Sequence, residues 1–146
     1  MSMAPDHDLI KACMDAVKAD AEIAAKVSNR VYDRPLDKPA AQLGIASPYI
    51  SLGPTSNLPA SVGDCVDGVE ITLQWDVWSW GAGEAYSTVE CRTLVERIRR
   101  VLDDAELALT DNALVTLTYE LSSVVRDRDG ITTHGLIQFT GIVETP

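Results

Sequence analysis

One stretch, residues 69–102, constrains the fold of this chain more than any other. Apolar and polar residues alternate over residues 69–80, which is the period-two pattern of a strand with one buried face. A glycine-rich turn at residues 81–83 follows, and apolar residues then recur at three- and four-residue steps over residues 84–102. That spacing forms one apolar stripe along a helix. The stretch therefore predicts a strand and a helix that bury their apolar faces against each other.

The remaining elements are predicted from the same periodicities and from their boundary residues. A first helix starts near Pro5 or Asp6, and a second helix start signal stands at Asp20, ahead of residues 21–27. The dipeptide Asp129-Gly130 lies between two alternating segments and predicts a hairpin turn. The further strands are predicted at residues 31–33, 49–52, 114–125 and 131–144. In the strand at 114–125, the residues predicted to share one face are Val115, Leu117, Tyr119, Leu121 and Val125.

This order of elements predicts the fold class. The chain runs helix, strand, strand, long loop, strand, helix, strand, strand, and consecutive strands joined by tight turns favour antiparallel pairing. We therefore expect an α+β fold with a mixed, mainly antiparallel sheet, an N-terminal helix and a central helix. A length of 146 residues fits one domain, so we expect residues 1–146 to form a single domain.

The longest irregular segment, residues 55–68, has almost no periodic apolar signal. Loops of this length inside a compact domain are usually functional or disordered. We expect it to be mobile in the free protein and to become ordered against a partner. Its polar residues Asn57, Asp64 and Asp67 are candidates for that contact.

Charge and cysteine content exclude several classes of protein. The chain has 12 Lys and Arg against 22 Asp and Glu, a formal charge of −10, which argues against a surface that grips nucleic acid phosphates. Its three cysteines, Cys13, Cys65 and Cys91, are widely spaced and make neither a zinc pattern nor a disulfide framework. We read Cys13 and Cys91 as small buried apolar residues. No apolar run is long enough to cross a bilayer.

The sequence predicts no catalytic, cofactor-binding or metal site. His134 is expected to be a polar cross-strand residue, because no nucleophile motif accompanies a pairing with Cys91 or Ser122. Asp64 and Asp67 lack the ligand string of a calcium loop. The turn at residues 81–83 lacks the lysine of phosphate-binding loops.

Two tryptophans lie on the polar face of the central strand. Trp78 and Trp80 alternate with the apolar residues and share their face with Gln74 and Asp76. Large aromatic residues on an otherwise polar face often mark a protein contact. The alternative is that the first helix covers that end of the sheet.

With these elements in place, the chain resembles the tail terminator, or tail completion, family of long-tailed phages and gene transfer agents. The resemblance runs from about Leu9 to Glu144 and depends on the order and spacing of several segments. Those segments are Arg30-Val31-Tyr32-Asp33, Pro48-Tyr49-Ile50-Ser51-Leu52-Gly53, Ile71-Thr72-Leu73-Gln74-Trp75-Asp76-Val77-Trp78-Ser79, the helix at 84–102 and Arg126-Asp127-Arg128-Asp129-Gly130-Ile131-Thr132-Thr133-His134-Gly135. Residues 55–67 depart most from the family pattern.

The resemblance implies a structural virion protein without enzymatic activity. It implies a hexameric ring at the head-proximal end of the tail, assembled in the host cytoplasm. The ring would cap the tail tube, end its growth, dock the head-side connector and let DNA pass through its lumen without specific binding. We expect the subunit or partner interface to include Trp78, Trp80, Asn57, Asp64, Asp67, Arg126 and Arg128. The alternative is a small α+β ligand-binding domain or enzyme, which an enclosed apolar pocket by Gly81 would favour.

Overall fold

The computed structural model describes residues 2–61 and 67–146. Six strands form one sheet in the order β1-β2-β4-β6-β5, and β3 pairs with β4 beside this path. The helices are α1 (Pro5–Ala19), α2 (Ala21–Val27) and α3 (Val89–Leu102), and the strands are β1 (Val31–Tyr32), β2 (Tyr49–Leu52), β3 (Ser56–Ser61), β4 (Asp67–Ser79), β5 (Ala113–Arg126) and β6 (Thr133–Glu144). Only the β1–β2 pair is parallel in this part of the chain. The predicted α+β fold with a mixed, mainly antiparallel sheet is confirmed.

One face of the sheet, which we call the core face, carries the helices. Ile71, Leu73, Trp75 and Val77 alternate along β4 and are fully buried on this face, as their spacing predicts. Helix α3 packs against them through its apolar stripe, and α1 and α2 contribute Leu9, Cys13, Val17, Ile23 and Val27 to the same cluster. The strand and helix predicted from residues 69–102 therefore form the centre of the core.

The opposite face, which we call the outer face, carries the polar residues of β4 and β6. Across these strands, Asp76 pairs with Leu136 and Trp78 pairs with His134. Helix α1 lies on the core face, because a Cβ placed on Gly141 of that face would come within 2.7 Å of Leu9 Cδ2. The alternative that the first helix covers Trp78 and Trp80 is therefore wrong.

The prediction that residues 55–68 form a loop is wrong for most of the residues that the structure describes there. Ser56–Ser61 forms β3, which pairs antiparallel with residues 67–72 of β4. Backbone hydrogen bonds to β4 support this strand, and its side chains are mostly exposed, so it needs no apolar periodicity. Residues 62–66 lie outside the described part of the chain. That the segment is mobile in the free protein stays a prediction.

Two irregularities change the predicted face assignment of β5. The pairing with β6 shifts between Leu114 and Thr116 and again between Tyr119 and Leu121. Each shift inserts one residue, so the alternation of faces restarts after it. Leu114, Leu117, Tyr119 and Val124 consequently pair with core-face residues of β6. Three of the residues predicted for that face, Val115, Leu121 and Val125, are exposed instead.

The central helix begins later than predicted. Gly81 and Gly83 both adopt positive φ, and a 3₁₀ turn at Gly83–Tyr86 precedes the first residue of α3, Val89. The glycines bend the chain from β4 towards α3. Residues 84–88, which the apolar spacing predicts to be helical, therefore lie in or beside this turn. None of the helices in the described ranges is long and apolar enough to span a membrane.

Candidate functional site

Three aromatic rings and one imidazole form a cluster on the outer face, which we call the aromatic row. Tyr49 of β2, Trp78 of β4 and His134 of β6 are cross-strand neighbours. The Trp78 and His134 rings stack with centroids 3.9 Å apart, and the Tyr49 and Trp78 rings lie 6.3 Å apart at 22°. Trp80 meets Tyr49 edge-on at 5.7 Å. These contacts fix a flat, partly buried aromatic surface at one end of the sheet.

A buried carboxylate lies beside the aromatic row. Asp76 is only 6% exposed, and its Oδ1 atom lies 2.8 Å from His134 Nε2 and 2.9 Å from Gln74 Nε2. A carboxylate only accepts, so His134 Nε2 and the Gln74 amide donate to it. Gln138 in turn donates to Gln74 Oε1 at 2.9 Å. His134 is thus the polar cross-strand residue that the sequence predicts.

The other carboxylate oxygen of Asp76 faces an opening beside β2. A Cβ placed on Gly53 would lie 2.6 Å from Asp76 Oδ2, so only glycine leaves this oxygen uncovered. A cleft of about 510 Å³ opens there. Its walls are Tyr49, Ser51, Trp78 and the segment 35–40, and Asp76 lies at its base. We call it the Asp76 cleft.

The charge of Asp76 acts on its neighbours in the cleft. Burial, and then the negative charge of Asp76, raise the pKa of Tyr49 to about 12, so its phenol keeps its proton. Ser51 Oγ accepts a hydrogen bond from Trp78 Nε1 at 3.1 Å. Tyr49 and Ser51 therefore contribute uncharged polar groups to the walls of the cleft.

A second cleft, of about 480 Å³, adjoins the first. It lies between the aromatic row and the β5–β6 hairpin, with Trp80, Asp127, Asp129 and Ile131 among its walls. Asp129 holds the hairpin together by accepting from Thr132 Oγ1 and from the backbone N–H groups of Ile131 and Thr132. These hydrogen bonds, the one from the Thr132 hydroxyl first, lower the pKa of Asp129. The hairpin therefore forms a defined wall.

The structure brings together only some of the predicted interface residues. Trp78 and Trp80 line the second cleft. Arg126 and Arg128 are exposed at the adjoining hairpin, at the end of β5 and in the turn that follows it.

The other predicted interface residues lie elsewhere. Asn57 and Asp67 belong to the β3–β4 pair, roughly 23–36 Å along β4 from Trp78 at about 3.3 Å of rise per residue. The Asn57 side-chain amide donates to Asp6 Oδ2 at 3.1 Å. Asp64 lies outside the described residues.

Sequence reasoning missed the residues that make the Asp76 cleft. Asp76 stands among polar residues of an alternating strand, where a carboxylate is expected to meet water. A signal is present in Gly53, which follows the strand at 49–52 directly, but a glycine in that position also serves simply to end a strand. No local pattern could place the segment 35–40 against the sheet.

The two nucleophile–histidine pairs weighed from the sequence are held apart in the fold. Cys91 packs on Gly135 of the core face, whereas His134 projects on the outer face, so the sheet separates them. Ser122 pairs with the core-face residue Ile137 and is separated from His134 in the same way. Burial raises the pKa of both Cys13 and Cys91 to about 12, which keeps the thiols protonated. Both cysteines are buried, as the sequence predicts.

Metal ligands are also dispersed over the part of the chain that the structure describes. Within residues 2–61 and 67–146, no three His, Cys, Asp or Glu side chains are grouped closely enough to hold a metal ion. The fold thus defines an α+β protein whose sheet carries helices on one face and aromatic clefts on the other.

Comparison with known proteins gives the family. The model of the family described as "Tail completion protein gp17" matches residues 11–144. A chain from the structure titled "Virion of native gene transfer agent (GTA) particle" superposes with a TM-score of 0.79 at 26% sequence identity. That match covers 98% of this chain and 99% of the other. No curated protein matches the sequence.

The chain belongs to the tail completion protein gp17 family. It is therefore a structural protein of phage-type tails, and the resemblance read from the sequence is confirmed.

Proposed function

We propose that this protein is a tail terminator, which forms a homohexameric ring on the head-proximal end of the tail. The ring caps the tail tube and ends its growth, and it then joins the tail to the head-side connector protein. DNA passes through the lumen without specific binding. The whole chain, residues 1–146, acts as one tail-terminator-like domain, assembles in the host cytoplasm, needs no cofactor and catalyses no reaction.

The observation that carries this proposal is the match of the tail completion family over residues 11–144. Likeness to a chain of a gene transfer agent virion over 98% of this chain supports it, because the likeness includes the whole sheet and all three described helices. Because the other chain is part of an assembled virion, the likeness supports assembly of this chain with other virion proteins.

The surface of the sheet offers places for such contacts. Strand β5 is the last strand of the sheet and is 14 residues long. Its outer backbone edge is hydrogen-bonded by Asp103 and Asp104 at Tyr119 and Leu117, and the part beyond Tyr119 is free to pair with a further strand. Val115, Leu121 and Val125 are exposed on this strand, each by 46–50%. Exposed aliphatic residues beside an open strand edge suit burial between neighbouring subunits.

The predicted interface residues lie in two separate groups, one at each end of the sheet. Trp78, Trp80, Arg126 and Arg128 lie at the hairpin end of the sheet. Asn57 and Asp67 lie at the other end, on the β3–β4 pair, and Asp64 belongs to the undescribed residues that follow β3. We propose that the two ends meet different partners, one being a neighbouring subunit and the other the tube or the connector.

Capping can be tested by adding the purified protein to polymerising tail tube protein. We expect growth to stop at one end, so the mean tube length falls as the protein concentration rises. Because the free edge of β5 is proposed as a subunit contact, Leu121→Lys should weaken capping, whereas Asp15→Lys, at an exposed position of α1, is the control. Tubes that grow to the same length with and without the protein would contradict the proposal.

A further inference from the structure

We propose that the Asp76 cleft is a binding site for one arginine side chain supplied by a second protein chain. The guanidinium hydrogen-bonds to Asp76 Oδ2 at the base of the cleft, and the methylene groups of the arginine lie against the aromatic and proline residues of its walls. That the second chain is another tail protein rests on the proposed function. The site itself belongs to the single chain.

The first observation that supports this site is that the two carboxylate oxygens of Asp76 accept different numbers of hydrogen bonds. Oδ1 accepts from both His134 and Gln74, whereas no residue of the described chain donates to Oδ2. A carboxylate that is 6% exposed is costly to leave partly unpaired, because burial removes its hydration. A charged donor restores the lost interaction best, since charge-assisted hydrogen bonds are the strongest kind.

The second support is the glycine that keeps Oδ2 open. Gly53 donates its backbone N–H to Gln74 O at 2.7 Å, which holds β2 close to β4 at this point. A side chain at position 53 would come within 2.6 Å of Asp76 Oδ2 and fill the base of the cleft. The access to the carboxylate is therefore built into the backbone and does not depend on a flexible side chain.

The walls fit arginine in particular. Tyr49, Trp78, Pro35 and Pro39 present flat apolar surface, on which the stem and the weakly hydrated guanidinium plane can lie. Ser51 Oγ also lines the cleft and has capacity to accept a further hydrogen bond. The several N–H groups of a guanidinium can reach two such acceptors at once.

The rim of the cleft keeps the net charge negative. Asp37 and Lys38 are both exposed there and offset each other, which leaves Asp76 as the remaining charged group of the cleft lining. Lys38 is also a competing cation on a flexible stem. We therefore expect Lys38→Met to strengthen the binding of an external guanidinium.

The test uses N-acetyl-arginine amide as the probe. N-acetyl-citrulline amide, which has nearly the same shape but no charge, is the control ligand. With the full chain near neutral pH, we expect saturable NMR shifts of the Gly53 amide and the Trp78 indole. Asp76→Asn should weaken this binding at least about tenfold, because the charge is lost while one oxygen can still accept from Gln74. Gly53→Ala should abolish it by covering the carboxylate.

Asp15→Asn is the matched control, since this carboxylate is exposed on α1, on the opposite face of the sheet from the cleft, and should change the affinity by less than about twofold. Equal binding of the citrulline probe, equal binding by Asp76→Asn, or no saturable shift would each overturn the proposal. The tube-capping assay does not use the probe. If the arginine probe does not bind, the tail terminator proposal is therefore unaffected. If the protein does not cap tubes, the arginine-site proposal is unaffected.

Discussion

Asp8 in the first helix shows how a single carboxylate can hold distant parts of this chain together. From the sequence it is a negative charge near the positive start of a helix. In the structure it is buried and accepts hydrogen bonds from the backbone N–H groups of Thr110, Asp111 and Asn112, and from the Asn112 amide. It thereby ties α1 to the turn that leads into β5.

These hydrogen bonds predict a specific loss of stability in acid. Burial opposes ionisation of Asp8, but the donated hydrogen bonds outweigh it and lower its pKa to about 2. Because the pKa is lower in the folded than in the unfolded state, the contribution of Asp8 is complete above about pH 5 and is lost as the pH falls through 2. We expect about 2 kcal/mol of unfolding free energy to disappear in this window.

Denaturant unfolding at several pH values, with Asp8→Asn beside the parent chain, isolates this contribution. Other carboxylates with lowered pKa values, such as Asp20 and Asp129, act in the same direction and remain in both proteins. The stability difference between the two proteins should shrink as the pH falls from about 5 to about 2. Asp15→Asn, at an exposed position of the same helix, is the control, and a difference independent of pH would refute the assignment.

At the scale of the element, α3 is the best test of the core. Leu94 and Ile98 are 1% and 0% exposed and pack against the sheet, as the apolar stripe predicts. Truncating either to Ala should lower the unfolding free energy by about 2–5 kcal/mol, because each change leaves a cavity in a close-packed site. Val89→Ala, on the same helix but 53% exposed, should cost less than about 0.5 kcal/mol. Denaturant melts that show no loss for Leu94→Ala would contradict the packing.

The elements that were predicted well are those whose signal is local. Strand β4 and helix α3 bury one face each, so their apolar periodicity appears in the sequence. Strand β3 is stabilised by backbone pairing with mostly exposed side chains, and the bulges of β5 depend on its match to β6, so neither has a local pattern. The Asp76 cleft escaped prediction for a related reason. Its parts, Gly53, Asp76 and the segment 35–40, are brought together only by the folded sheet.

At the scale of the whole molecule, charge bears on how DNA would pass a ring of these subunits. Each subunit carries a formal charge of −10. Several arginines are already paired within the chain. Arg97 donates hydrogen bonds from Nε and Nη2 to the Asp20 carboxylate, and Arg99 and Arg100 both donate to the Glu96 carboxylate. These cations are therefore directed towards their own subunit.

We expect the lumen of the ring to contain more Asp and Glu than Lys and Arg. A basic wall would retain DNA through phosphate contacts, whereas an acidic wall repels the duplex, with screening over about 8 Å at physiological salt. The isolated protein should accordingly show no measurable affinity for duplex DNA at that salt. A map of the charged side chains along the channel checks this, and a continuous ring of arginines there would overturn it.

The central claim is that this chain forms the terminal ring of a tail. The most direct measurement is high-resolution imaging of assembled particles that contain the protein, with the subunits located by fitting the fold described above. The account predicts six copies in one closed ring between the tail tube and the head-side connector, with the outer edge of β5 buried between neighbours. A different symmetry, or a position elsewhere in the particle, would contradict it.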